Sequence, residues 1–420
     1  MTPQTRPTAP AAAPSPSAWG SRDFRYLLAA ATASTFGVEV GRLALPLVAI
    51  LALGAGAGQV GLLATFTTAA FLLVGLPSGA LIDRLRKRPV MIAADLARAA
   101  LLGWVPLAWW LGILTIEQLY AVALLAGVGT VFFDVSAQSL LPHVVGRDRL
   151  VSANSALGGL NAASGVAGPA GGGALVALLT APFAVLANAV GLVGSALLLG
   201  GVRVPEPRPG AAGRPRLVAQ IAEGVVYVAT HPVLRPIALQ GALANLSIAI
   251  VTIMVPFRFV RELGLSEATV GLFFAAGGVG VFLGATLARR VSGRVGAGRT
   301  LWLLGIGVAP FGMVVPLAGD RIPLWLAGVA WAVVTFKVGT DNVLLVSFRQ
   351  RVTPDQLLGR VNASIRTLLH GALAVGAALA GVTGELLGAR GALWIGATGL
   401  ALVWMPVFFS QVRRMRDLPG

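Results

Sequence analysis

The sequence predicts an all-α integral membrane protein of twelve transmembrane helices in two pseudo-symmetric six-helix bundles. Three observations predict it. Of 420 residues, 56% are hydrophobic and 11% charged, at a mean hydropathy of +0.83, whereas soluble domains carry about 25% charged residues. The apolar residues fall into a dozen runs, each near the ~20 residues that a helix needs to cross a bilayer. The second half of the chain also repeats landmarks of the first.

In chain order the predicted spans are 25–52, 59–82, 90–112, 117–141, 151–179 and 182–202, then 234–261, 267–289, 300–318, 322–347, 358–386 and 390–412. Charged, Gly-rich or Pro-bearing breaks separate them. The expected organisation is a disordered cytoplasmic tail over 1–22 and an N-terminal bundle over 23–203. A cytoplasmic linker follows over 204–232, then a C-terminal bundle over 233–413 and a short tail over 414–420. The opening stretch is rich in Ala, Pro, Thr and Ser and has no apolar core, so it reads as a tail and not as a signal peptide. In the linker, Leu217, Ile221, Val225 and Val228 share one helical face, which predicts an interfacial amphipathic helix; a flexible tether is the alternative.

The net charge of +16 reports topology. Basic residues collect in alternate loops, at Arg84, Arg86, Lys87 and Arg88, at Arg147 and Arg149, at Arg289, Arg290 and Arg294, and at Arg349 and Arg351. The intervening loops hold Arg258, Arg261, Arg321 and Arg390, and those at 54–58 and 180–181 carry no charge. By the positive-inside rule both termini face the cytoplasm of a plasma-membrane protein, which agrees with an even number of spans. The basic residues form no continuous face, so nucleic acid is not an expected partner. Cysteine is absent and the three histidines are scattered, so no metal site or cofactor is expected.

The repeat is visible residue by residue. Ser139 matches Ser347, Val144 matches Val352, Leu150 matches Leu358 and Asn154 matches Asn362, all at one offset. Near the same offset, Pro46 pairs with Pro256, Gly75 and Gly79 with Gly280 and Gly284, and Asp134 with Asp341. A duplication relates the halves by a pseudo-twofold axis along the membrane normal, and a central cavity follows between them.

After the second span comes Gly79-Ala-Leu-Ile-Asp83-Arg84-Leu-Arg86-Lys87-Arg88. It resembles the loop 2–3 signature of the major facilitator superfamily, with Arg86 where that family usually has glycine. Gly79 permits close helix approach, and Asp83 suits the positive end of a neighbouring helix. The resemblance implies a cytoplasmic gate built from Gly79, Asp83, Arg84, Lys87 and Arg88, with Asp134 as a latch partner for Lys87. The second-half copy has lost the aspartate, so the gate is expected to be asymmetric. Gly168-Pro169-x-x-Gly172-Gly173 resembles the antiporter motif of the same superfamily. There proline bends the helix and glycines press it against the other half; as bare physics it is a helix contact. The stretches FFDVSAQSLLPHVVGRDRLVSANSAL and DQLLGRVNASIRTL look most like the macrolide-efflux and enterobactin-exporter branch.

Charges at membrane depth cost several kcal/mol, roughly 2.5–3.5 on insertion scales, and so need a partner or a function. Glu39 and Arg42 lie one turn apart in span 1, as do Lys337 and Asp341 in span 10 and Asp95 and Arg98 in span 3. The first two pairs are the proton-coupling or cavity-charge candidates; a permanent packing pair is the alternative for each. For Asp95 and Arg98 a structural role is expected. Leu119 to Phe133 is uncharged, whereas many proton-coupled relatives have an arginine in span 4.

What the resemblance implies is a monomeric, non-enzymatic exporter of amphipathic small molecules, a drug, antibiotic or siderophore-like metabolite, exchanged for protons by alternating access. No Walker-type loop is present for ATP. An importer or uniporter of a sugar or metabolite, and an integral-membrane lipid-handling protein or enzyme, are the other readings.

Overall fold

A computed structural model describes residues 18–82, 84–204, 217–319 and 321–415. Most of both expected tails, Asp83 of the gate motif and the start of the linker lie outside them. Among the described residues, eleven stretches are long and apolar enough to cross a membrane, and one of these, Gln356–Phe408, holds two spans. The molecule therefore has the twelve-helix architecture that the sequence predicts.

Six helices make the first bundle: α1 (Arg22–Leu47), α2 (Ala57–Ile82), α3 (Lys87–Trp110), α4 (Ile116–Val145), α5 (Leu150–Leu179) and α6 (Ala181–Gly200). Local chemistry sets their ends. Ser21 and Thr115 cap α1 and α4 by accepting from Phe24 N and Gln118 N, and Pro182 occupies the first turn of α6, where its missing amide costs nothing. A linker helix, α7 (Leu217–Thr230), leads to α8 (Leu234–Pro256), α9 (Glu267–Val295), α10 (Ala297–Gly307), α11 (Leu324–Val352), α12 (Asp355–Leu402) and the short α13 (Met405–Phe408). Helix α12 turns back at Gly388, with φ 72° and ψ 165°, inside the predicted break between 386 and 390.

One expectation needs correction. The ninth span is not one α-helix: after Gly307 the chain tightens into a 3-10 helix over Ala309–Leu317, because Pro310 and Pro316 cannot donate to the preceding turn. The linker forms the expected helix α7, in which Val225 is exposed while Gly224 and Val228 are buried. Gly224 lies so close to Ser364 and Arg360 of α12 that a side chain would collide with them. Tyr227 Oη donates to Val352 O at 3.3 Å, and Glu223 pairs with Arg360, so α7 is fastened to the second bundle.

The duplication extends to backbone detail. Pro46 and Pro256 each precede a π-helical turn, Val48–Ala52 and Phe257–Glu262, and each turn ends on a left-handed glycine, Gly54 at φ 64° and Gly264 at φ 63°. Gly112 and Gly319 also pair, as do Thr180 at φ 73° and Gly388. Thr180 is the exception in chemistry, since its φ 73° and ψ 159° belong to a region open essentially to glycine. Thr180→Gly is expected to relieve the strain and stabilise the protein by about 1 kcal/mol, raising the melting temperature in detergent by a few degrees. An unchanged or lowered midpoint would contradict that reading.

Crossing by crossing, the arginine-rich loops fall on one face, called here the basic face. On the opposite face the halves are pressed together along two glycine seams. In one, Gly61 of α2 meets the backbone of Gly381 in α12, so closely that no Cβ fits. In the other, a Cβ on Gly173 of α5 would sit 2.9 Å from Gly271 Cα in α9. Toward the basic face α5 and α9 part: a Cβ on Gly158 or Gly159 of α5, or on Gly293 of α9, would meet nothing within 4 Å, whereas α2 and α12 stay in contact as far as Phe71 stacked on His370. The result is a cleft closed at one end and open at the other.

Candidate functional site

Helix α1 supplies one wall of the cleft. Its exposed positions Arg25, Ala29, Thr32 and Phe36 recur at helical spacing, its buried residues, from Phe24 to Leu43, pack against α5 and α6, and Arg42 is exposed to one side of that stripe. Glu39 lies on the edge of the exposed stripe and pairs with Arg42 at 3.3 Å. The Arg42 side chain is 72% exposed and that of Glu39 17%. A guanidinium so exposed in the middle of a span requires water beside it, since lipid would not solvate it.

The second charged pair is enclosed. Lys337 and Asp341, one turn apart on α11, form an ion pair inside the C-terminal bundle, and Gln240 of α8 donates from Nε2 to Asp341 Oδ2 at 2.9 Å. Beside them is a cavity of about 180 Å³, lined also by Asn245, Asn342 and Arg349.

A third cluster occupies the N-terminal bundle. Asp95 and Arg98 pair with both side chains buried, and Arg98 further donates to Ser34 Oγ of α1 and Thr130 Oγ1 of α4, each at 3.2 Å. Its guanidinium lies 4.9 Å from the Phe133 ring centre. One arginine therefore ties three helices together. Asp134 lies within electrostatic reach of Arg98 and, across the cleft, of Arg366 in α12. Among the described residues no three His, Asp or Glu side chains come together as a metal would require.

The sequence model of the Major Facilitator Superfamily matches residues 27–377. The chain belongs to that superfamily. An uncharacterized MFS-type transporter, y4rN, of Sinorhizobium fredii is 28% identical over 326 residues, 74% of this chain and 76% of the relative. The enterobactin exporter EntS of Citrobacter koseri is 25% identical over 372 residues, 86% of either chain. Among solved structures, that of the nucleoside transporter NupG superposes with a TM-score of 0.73 at 12% identity, covering 93% of this chain and 100% of the other.

The loop 2–3 motif falls at a helix junction, and the Gly168–Gly173 motif lies within α5. Gly79 is in α2 close to its basic-face end and Arg84 is exposed just beyond it. Lys87 opens α3, and Arg88 donates to Leu199 O at 2.8 Å and to Gly200 O, capping the carbonyl end of α6. The antiporter-motif glycines divide their contacts. Gly168 abuts Glu39, and a Cβ on Gly172 would lie 3.3 Å from Val40 Cα, so these two pack against α1 of the same half. Gly173 and the carbonyl of Pro169 meet Gly271 of the other half.

Sequence reasoning missed the fastenings of the closed face. Glu385 of α12 accepts from Gly58 N, at the amino end of α2, at 3.0 Å. Arg261 Nη1 donates to Ile50 O at 3.4 Å, also across the halves. Within the second half, Glu262 accepts from Arg258 at 3.0 Å and from Ala389 N at 3.3 Å. A lone acid near the end of an apolar span was the available signal.

Proposed function

We propose that this superfamily member is a secondary active exporter of amphipathic small molecules, exchanged for protons by alternating access across the plasma membrane. The basic face is then the cytoplasmic one, both termini lie there, and the cleft opens inward. One observation carries the reading: an ion pair at membrane depth, a largely covered Glu39 with an exposed Arg42, in a molecule whose halves are closed together at one face by glycine seams. The named exporters among its relatives agree with outward transport. Exchange requires an ionisable group at membrane depth, and Glu39 beside the exposed Arg42 is the candidate.

The test is efflux of a panel of lipophilic fluorescent dyes from proteoliposomes under an imposed pH gradient. Wild type is expected to move at least one dye only when the gradient is present, and Glu39→Gln to lower that gradient-driven rate at least tenfold, about 1.4 kcal/mol at the barrier. Movement that ignores the gradient contradicts proton exchange, and an undiminished Glu39→Gln rate removes Glu39 from the mechanism.

A further inference from the structure

The cavity inside the C-terminal bundle is unusual for what is left over in it. Lys337 and Asp341 line it at 3% and 5% exposed, and Gln240, behind that lining, is 0% exposed and holds the carboxylate in place. Asp341 gives Oδ2 to both Lys337 and Gln240, and its Oδ1 has no hydrogen-bond partner; neither has Gln240 Oε1. Buried acceptors are almost always satisfied, and an orphan is costly to keep. Asn245 is half-satisfied, since its Nδ2 donates to Gly241 O at 2.8 Å. Asn342, one residue beyond Asp341, lines the cavity and is exposed, so the cavity opens at the surface of the bundle. Its remaining wall is largely apolar, with Ile248, Leu345 and Leu369 among the contributors.

We infer that this side pocket binds the cargo through a neutral donor–acceptor group, a hydroxyl or amide carried on an apolar body. The inference rests on the transporter reading above and names the chemistry of what it carries. A hydroxyl donates to Asp341 Oδ1 and accepts from the Lys337 ammonium, which has protons to spare after its bond to Asp341. A charged group gains far less. The Lys337–Asp341 pair is already neutral as a unit, so a buried carboxylate or ammonium is attracted by one member and repelled by the other, and its lost hydration is not recovered. Arg349 also lines the pocket, farther along α11 toward the basic face, and its Nε is buried without a partner, so a carboxylate that reached it is the rival cargo that the acetate probe tests.

The test uses the full chain in lipid nanodiscs and three probes with one apolar body: 2-(2-naphthyl)ethanol, 2-naphthylacetate and 2-(2-naphthyl)ethylamine. Equilibrium dialysis, corrected by empty nanodiscs, is expected to show the alcohol bound at least tenfold more tightly than either ion. Lys337→Met combined with Asp341→Leu removes the pair as a unit and should abolish that preference. Gln240→Met, with the pair intact, should weaken the alcohol several-fold and decides the matter if the double variant fails to melt cooperatively. Tighter binding of the acetate or the amine, a preference that survives these variants, or no binding above empty nanodiscs overturns the inference. Dye efflux is measured separately. Intact efflux with no alcohol preference defeats the pocket alone, and an intact preference with no gradient-driven efflux defeats the exporter reading alone.

Discussion

Arg98→Met is expected to destabilise the N-terminal bundle by about 3–5 kcal/mol, the cost of leaving a buried charge without its partner. The side chain sits where α1, α3 and α4 converge, and a Cβ on Gly129 of α4 would lie 2.7 Å from Arg98 Cγ, so the helix surface is shaped to admit the arginine. Methionine fills the volume but strands Asp95, which is 0% exposed, and removes the nearer cation from Asp134. Asp95→Leu together with Arg98→Met removes charge and countercharge, and is expected to recover most of the loss. Thermal unfolding of the three proteins in one detergent checks this. A single variant that melts with wild type would mean that the cluster is solvated and that its geometry carries no weight.

Gly61→Leu is expected to abolish transport without unfolding the protein. At Gly61 a Cβ would overlap Gly381 Cα and N and come within 3.0 Å of Ala377 O, all backbone atoms that have nowhere to retreat. Each bundle can still form, since the clash lies between them. What is lost is the closed arrangement of the face opposite the arginine-rich loops. A penalty of about 3 kcal/mol on that state corresponds to a hundredfold change in its population, so gradient-driven efflux should fall about a hundredfold while the melting temperature moves by only a few degrees. Wild-type efflux in this variant would show that the seam does not close during the cycle.

Much of the fold is legible in the sequence because the bilayer imposes so strict a rule on it. A spanning helix must satisfy its own backbone, so its length and apolarity are written locally. Pro46 and Pro256, matched in the sequence as landmarks of a repeat, mark the same π-helical turn in both halves. The break before Arg390 is Gly388. The ninth span misleads for a reason of scale: a window of apolar residues gives the same hydropathy whether its helix is whole or, as at Pro310, broken. The contact of α7 with α12 at Gly224 is not legible in α7 because the partner surface, at Arg360 and Ser364, is encoded elsewhere in the chain.

The charged clusters are legible only in their local half. Intrahelical spacing finds Glu39 with Arg42, Lys337 with Asp341 and Asp95 with Arg98. It does not find Ser34 and Thr130 on other helices, nor Gln240, nor the meeting of Glu385 with Gly58. Those contacts depend on how helices are laid side by side. They decide which pair is solvated in the cleft, which is sealed in a bundle and which borders a pocket.

The central claim, a cleft that opens on alternate faces, is tested most directly by distances along α5 and α9. The chain has no cysteine, so spin labels can be placed in pairs without background, at Gly158 with Gly293 toward the basic face and at Leu178 with Leu272 toward the other. Pulsed dipolar spectroscopy in nanodiscs, across a pH titration and with bound dye, is predicted to show the first distance shortening as the second lengthens. Two distances that stay fixed, or that change in the same direction, would contradict it.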